Sequence, residues 1–352
     1  MKAKLKTVNA AGKRIIAVSD IHGNLRVFRR LLDKVKFSGN DVLIIVGDFL
    51  EKGEDSLGTL RFIMELCEAG NTHALLGNCD DLWMWVKSGE HDEQTLDFML
   101  SQPNLIKEMC ALLSIPMSAE MDIAAMVPRL HAAFGRELGW LENLPHIISA
   151  GDYVFAHSAL EPGPLESQEL EKISYCHAFM ERGLSFDRYV IVGHWPTCLY
   201  RNDKPDCNPI IDRERKIISI DGGNVIKSFG QINALIIEND GFSSESADGL
   251  PVIPSPADQE ASENPVFVRW PDAAVEIVGG EGEFRLIRHI SYGRELYAPA
   301  GYIYETDDGF SVRDVSDYRL PVHKGEPVSL VADFSDRILA KKNGVVGWIM
   351  KT

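Results

Sequence analysis

Short, wholly apolar runs alternate with longer stretches of helical spacing through the first two thirds of the chain. Ile15-Ile16-Ala17-Val18 reads as a buried strand, and Leu25, Phe28, Leu31, Leu32 and Val35 follow on one helical face. The unit then repeats. Val42–Val46 is a second buried strand, Leu57, Leu60, Met64 and Cys67 form a helical stripe, and 73–76 is a third strand. Apolar runs at Tyr153–Ala156, Tyr189–Val192, 217–220 and 234–237 predict four more strands, while residues 81–150 are mostly helical in pattern and read as an inserted helical region. Strand–helix repetition of this kind predicts an α/β domain whose sheet is at least partly parallel.

The pattern changes after residue 239. Residues 240–265 hold Ser, Asp, Glu and Pro but no Lys or Arg, which reads as an exposed linker. Residues 266–352 are rich in Val, Ile, Tyr and Gly in short strand-like runs without a helical stripe, so a small all-β accessory domain is expected there. Its end, K-G-E-P-V-S-L-V … N-G-V-V-G-W-I, is similar to the final strands of a small bacterial Src-homology-type β-barrel. The expected organisation is therefore an α/β domain at 1–239, a linker at 240–265 and a β-rich domain at 266–352, whose partner the sequence does not name.

Composition narrows the function. Lys plus Arg is 36 against 52 Asp plus Glu, so 36 − 52 leaves a net charge of −16. That balance excludes general nucleic-acid or anionic-membrane binding, which needs a basic footprint. It permits a phosphorylated substrate if bound cations invert the local field. No apolar run approaches the roughly 20 residues of a membrane span. Lys2, Lys4, Lys6, Lys13 and Arg14 precede an apolar run of only Ile15–Val18, too short for a signal core, so they read as the basic entry to a strand. The six cysteines show no C-x-x-C pair, and reduced thiols in the cytoplasm are expected.

The chemistry gathers directly after the strands. They end S-D-I-H-G-N (Asp20, His22), V-G-D-F (Asp48), L-G-N-C-D (Asn78, Cys79, Asp80), F-A-H-S (His157) and V-G-H-W-P-T (His194). Ligands of α/β sheets bind at the carboxyl ends of strands. Asp48 lies 48 − 20 = 28 residues after Asp20, and Asn78 lies 78 − 48 = 30 after Asp48, each about one strand–helix unit. Six oxygen and nitrogen donors delivered to one edge suit a pair of borderline divalent ions. Trp83 and Trp85 follow Asp80 about 200° apart on a helix, so one is expected to pack and the other to border the groove.

These motifs, in this order, resemble the calcineurin-like metallophosphoesterases. Within them the similarity is to the phosphoprotein-phosphatase-like branch, with its bacterial and phage protein phosphatases and symmetrical diadenosine tetraphosphatases. The family's D-x-H-G, G-D-x-x-x-R-G, G-N-H-D/E, strand-end His and G-H-T-P motifs all have counterparts across residues 14–238. The resemblance implies a sandwich of two mixed β-sheets flanked by helices. It implies that Asp20, His22 and Asp48 hold a first metal ion and that Asp48 bridges to a second, completed by Asn78, His157 and His194. It also implies hydrolysis of phosphate monoesters or phosphoanhydrides by a metal-bridging hydroxide, with manganese as the expected metal and iron or zinc as substitutes. Three positions depart from the family. Cys79 stands where the proton-donating histidine is found, followed by Asp80 as the acid that would orient it. Lys52 stands for the phosphate-gripping arginine, after Glu51 for an aspartate. His177 is the nearest counterpart to the second substrate-binding arginine. A thiol is a weak hydrogen-bond donor and a lysine lacks the bidentate fork. Phosphoproteins and phosphorylated small molecules are both open as substrates; the alternative is a catalytically weakened metal-binding regulatory module targeted by its β domain.

Overall fold

In the computed structural model of the chain, which describes residues 1–89 and 93–351, the apolar runs pair into two mixed sheets. Chain order is β1 (Leu5–Thr7), β2 (Ile15–Val18), α1 (Leu25–Lys34), β3 (Val42–Val46), α2 (Ser56–Glu68) and β4 (Thr72–Leu75). Four helices follow: α3 (Leu82–Ser88), α4 (Glu93–Ser101), α5 (Leu105–Leu112) and α6 (Ile123–Glu142). Then come β5 (Ile147–Ala150), β6 (Tyr153–Ala156), α7 (Leu170–Ile173), β7 (Tyr189–Val192), β8 (Ile210–Asp212), β9 (Ile217–Ser219), β10 (Ile232–Glu238) and β11 (Gly241–Ala247). One sheet has the order β11-β10-β2-β3-β4 and the other β1-β5-β6-β7-β9-β8. Strands β2, β3 and β4 are mutually parallel, as are β6, β7 and β9.

The unbroken apolar runs are explained by burial on both faces. Ile15, Ala17, Val42, Ile44 and Val46 meet Ile148, Phe155, Ile191 and Ile218 between the sheets. The alternate residues Ile16, Val18, Leu43 and Ile45 face the helices, against Phe28 and Leu31 of α1 and Leu60 and Ile63 of α2. Full burial of each such side chain contributes about 1.5–3 kcal/mol. The helical insertion joins the same layer through Trp83, Ile106, Met109, Leu130 and Leu138. Local signals set the helix starts: the Asp55, Asn104 and Asp122 side chains accept from Gly58, Lys107 and Ala125 amides at the N-termini of α2, α5 and α6. Helix α3 stops at Gly89, which has φ +73°.

Two readings need correction. Residues 81–150 are not helical to the end, because β5 occupies Ile147–Ala150. The stretch 240–265 is not a bare linker either. Strand β11 lies inside it and pairs with β10 over seven residues, and Val252–Pro254 pairs with Pro327–Asp333. The pairing is carried by backbone, on an edge strand whose polar side chains are mostly at the surface, so no apolar pattern announces it.

The chain divides into two compact units, Met1–Pro196 with Pro209–Asp248, and Thr197–Asn208 with Gly249–Thr352. The second is built of antiparallel strands. Five of them, from Ala274–Gly279 to Gly309–Val312, form one sheet around Val275, Ile287 and Val312; another sheet packs Val328, Ile338 and Ile349. Residues 197–208 belong to it through backbone bonds from Cys207 to Gly344 and from Val346 to Pro205, both 2.9 Å. Among the described residues, no helix is long and apolar enough to cross a membrane.

Candidate metal centre

The parallel strands deliver their polar termini to one edge: Asp20 and His22 after β2, Asp48 after β3, Asn78 to Asp80 after β4, His157 after β6, His194 after β7 and Asp221 after β9. The turns that do this are strained. Asp20, His22, Asp48 and His194 have φ of +53°, +47°, +50° and +66°. Left-handed backbone at a non-glycine residue costs roughly 1–2 kcal/mol and persists where the surroundings over-determine it. The glycines of the G-D, G-N and G-H pairs make the close approach possible. A Cβ on Gly77 would sit 2.2 Å from both the amide nitrogen and Oδ1 of Asp48, and one on Gly193 would sit 2.3 Å from Asp20 Oδ2.

Asp48 is the hub. Its Oδ1 lies 3.2 Å from His157 Nε2 and accepts from the Cys79 amide at 2.8 Å, while Oδ2 lies 3.9 Å from His22 Nε2. Asn78 Oδ1 sits 3.0 Å from His157 Nε2 and 2.7 Å from His194 Nδ1. Each of two histidines uses Nδ1 to hold a backbone carbonyl, His22 on Leu50 and His157 on Val46, which turns Nε2 inward. Asp20 Oδ2 accepts from the His194 amide; its Oδ1 is 3.9 Å from His22 Nε2, beyond hydrogen-bonding range.

The electrostatics are those of an acid-rich buried cluster. Burial, reinforced by Asp221, pushes the Asp20 carboxyl well above its ordinary range, and burial raises Asp221 to about 6. Burial would raise Asp48 too, but His157, His22 and Lys52 outweigh it and hold that carboxyl well below the usual range. Burial lowers His22 to about 4 and His194 to about 3, so both keep free lone pairs at neutral pH.

All six expected ligands thus converge, and the other expected residues are placed beside them. Cys79 joins His22 and Asp48 in one group whose ligand atoms lie within 4.8 Å of one another; Asp48, His157 and His194 form the second such group. The Asn78 side-chain amide donates to the Cys79 sulfur at 3.5 Å, and the Lys52 ammonium acts electrostatically on Cys79 and Asp48. The His177 ring stacks on His194 with centroids 5.7 Å apart. Asp80, expected to orient residue 79, instead accepts from the amides of Asp48, Leu50 and Gly77 at 2.8, 2.9 and 2.9 Å, so it braces the loops that carry the donors. Trp83 is buried with its indole N–H on Glu142, whereas Trp85 is half-exposed in a cavity shared with Asn78, Cys79 and Tyr175. Sequence reasoning missed Asp221 and Asn224; Asn224 donates to the Ile21 carbonyl at 2.8 Å and supports the Asp20–His22 turn. Asp221 carried the same signal as the others, an acid directly after an apolar run.

The calcineurin-like phosphoesterase family model matches residues 13–198, more than half of the chain. The chain belongs to that family. A symmetrical bis(5'-nucleosyl)-tetraphosphatase of Nitrosospira multiformis is 31% identical over 173 residues, 48% of this chain and 50% of that protein. Another, of Aromatoleum aromaticum, is 29% identical over 181 residues, 47% of this chain and 55% of its own length. The chain spans about half the length of these curated relatives. A solved structure assigned as a diadenosine tetraphosphatase covers 70% of this chain and 99% of its own, with a TM-score of 0.49 and 21% identity.

Metallophosphoesterases bind divalent metals, and the residues here fit such ions. Asp20 Oδ1, His22 Nε2, His194 Nε2 and Asp221 Oδ2 are buried side-chain atoms without a hydrogen-bond partner. Leaving such atoms unpaired costs about 1–3 kcal/mol each, more for charged groups. Four of them around one carboxylate hub are what ion ligation would satisfy.

Proposed function

We propose that the chain is a dinuclear metal-dependent phosphoesterase acting on phosphoanhydrides and activated phosphate esters. The observation that carries this reading is the convergence of histidines from both sheets on Asp48, with the buried atoms His22 Nε2 and His194 Nε2 unpartnered. Asp20, His22 and Asp48 would hold one ion, and Asp48, Asn78, His157 and His194 the other. Bound there, divalent ions supply Lewis-acid polarisation of phosphoryl oxygens and a water acidic enough to serve as nucleophile at neutral pH.

The chain's own residues set the rest. Lys52 brings a positive charge to Cys79 and Asp48, suited to a phosphoryl oxygen but without the two-pronged grip of arginine. His177, exposed and stacked on His194, borders the entrance. No imidazole stands at position 79 to protonate a departing alkoxide. Good leaving groups need little such help, so anhydrides and aryl esters are favoured over phosphoserine. Trp85 and Tyr175 beside Asn78 offer aromatic faces to a nucleobase, worth about 1–3 kcal/mol per stacked base. This matches the names of the curated relatives, and we take a dinucleoside polyphosphate as the substrate class.

The test is a panel of diadenosine tetraphosphate, an aryl phosphate and a phosphoserine peptide with metal-loaded full chain. The reading requires turnover of the first two and a fall of at least about 10²-fold for the third, on the scale of general-acid help. Equal rates across the panel would overturn the substrate assignment, and no turnover at all would overturn the enzyme.

A further inference from the structure

Cys79 stands at the position where the family has its histidine acid, yet its sulfur does not face an open channel alone. It shares a 4.8 Å group with a nitrogen of His22 and a carboxylate oxygen of Asp48. Its amide is fixed on Asp48 Oδ1 at 2.8 Å, the Asn78 side-chain amide donates to its sulfur at 3.5 Å, and the Lys52 charge acts on the sulfur and Asp48 together. Next to it, His22 Nε2 and Asp20 Oδ1 are buried, unpartnered and 3.9 Å apart. Of the six cysteines, Cys79 is the one that joins a three-residue ligand group among the described residues.

We propose that Cys79 is a thiolate ligand to the ion held by Asp20, His22 and Asp48. On binding, the S–H proton leaves to solvent and the sulfur lone pair forms the bond to the ion, so each chain releases one proton for this ligand. The sulfur thereby changes which metal the site selects. A soft thiolate beside imidazole and carboxylate favours zinc, iron or cobalt over manganese, which prefers oxygen. Lys52 supports the arrangement by placing a cation against the anionic sulfur. The inference rests on the dinuclear reading of the centre, but concerns a ligand that reading does not include.

The test is cobalt(II) titration of the metal-stripped full chain, read by absorbance. Wild type should develop a near-ultraviolet sulfur-to-cobalt charge-transfer band together with the weaker visible bands of bound cobalt. Cys79→Ser and Cys79→Ala should keep visible bands and lose the charge-transfer band. In competition, the preference for cadmium over manganese should fall about 10–100-fold in both variants, the scale on which altered metal surroundings act. A charge-transfer band that survives both substitutions, or visible bands without it in wild type, overturns the proposal. If wild type hydrolyses an aryl phosphate yet shows no charge-transfer band, the thiolate assignment alone fails. If wild type binds no cobalt, the thiolate assignment and the metal centre fail together.

Discussion

In the C-terminal unit, the non-glycine residues with left-handed backbone among those described are Asn264 and Asn343, and asparagine tolerates that conformation. In the phosphoesterase unit the same conformation falls on thirteen non-glycine residues among those described: Asp20, His22, Asp48, Glu51, Lys52 and His194 at the site, and Lys36, Ser114, Ala178, Lys216, Val225, Asn239 and Asp240 elsewhere. Buried side-chain atoms without partners are also unevenly spread: among the described residues the C-terminal unit has them at Thr197 and Arg201, while in the phosphoesterase unit Asp20, His22, His194 and Asp221 bring four of them to one sheet edge. The C-terminal unit thus carries little backbone strain, all of it on asparagine. The phosphoesterase unit carries more strain and more unmet polar demand, and the turns that hold its chemistry are where the two coincide on the same residues, Asp20, His22 and His194. Strain costs stability, so a fold retains it where something else depends on that geometry.

The hardest test of this contrast is to remove the hub. Asp48→Asn keeps an oxygen for the Cys79 amide but removes the charge shared by both donor groups. Bound metal should drop from two ions per chain, and kcat should fall by roughly 10²–10³ or more, the scale of losing one electrostatic stabiliser. Elemental analysis beside steady-state kinetics checks it; a variant that keeps both ions would show that Asp48 is not shared.

A paired glycine experiment separates strain that serves the site from strain that serves a turn. Gly77→Ala drives a Cβ against Asp48, while Gly344→Ala, at φ +80°, meets the Asn208 side chain. Both should cost about 1–3 kcal/mol. Only Gly77→Ala should also weaken metal binding, because only there is the displaced atom on a donor residue. Equal metal affinity in the two variants would break the contrast between the units.

The boundary between the units gives a smaller effect. Within 240–265, a Glu-specific protease should cut at exposed Glu260 and Glu263 before Glu245, which is held in the β10–β11 ladder. First cleavage at Glu245, read by mass spectrometry, would mean that β11 opens easily and that the core unit ends nearer residue 239.

How much of this was legible in the sequence follows from what each element relies on. Strands β2, β3, β6 and β7 are buried on both faces, so their apolar runs announced them, and the donor residues came directly after those runs. Strands β1 and β11 lie at sheet edges with mostly surface-facing side chains, and backbone pairing leaves no mark in composition. Asp221 had the same placement as the other acids, directly after an apolar run, and was passed over. The role of Asp80 was misread because its three partners are backbone amides, which no motif spells out. The grouping of residues 197–208 with the tail was hidden for a related reason: it depends on hydrogen bonds across more than sixty positions of sequence.

The smallest expected effect is a pH dependence confined to the phosphoesterase unit. His146 is buried, and its Nδ1 accepts the Lys4 amide at 2.9 Å, so the fold requires the neutral ring. Burial, then the Lys4 ammonium, lowers its pKa to about 4, against about 6.5 in an unfolded chain. Between those values the unfolded state binds more protons than the folded one, so this contribution is complete above pH 6.5. It is lost progressively as pH falls toward 4. The hydrogen bond broken on protonation is worth about 1 kcal/mol. That corresponds to about 2–4 °C in Tm for a unit of this size. His146→Asn, whose amide oxygen can accept the same Lys4 proton without titrating, should flatten the fall. Other carboxylates titrate in the same range, so the quantity to follow is the difference between the wild-type and variant Tm curves from pH 7 to 4. A difference that stays constant across that range would show that His146 charges without disturbing the Lys4 contact, and that the acid sensitivity of this unit originates elsewhere.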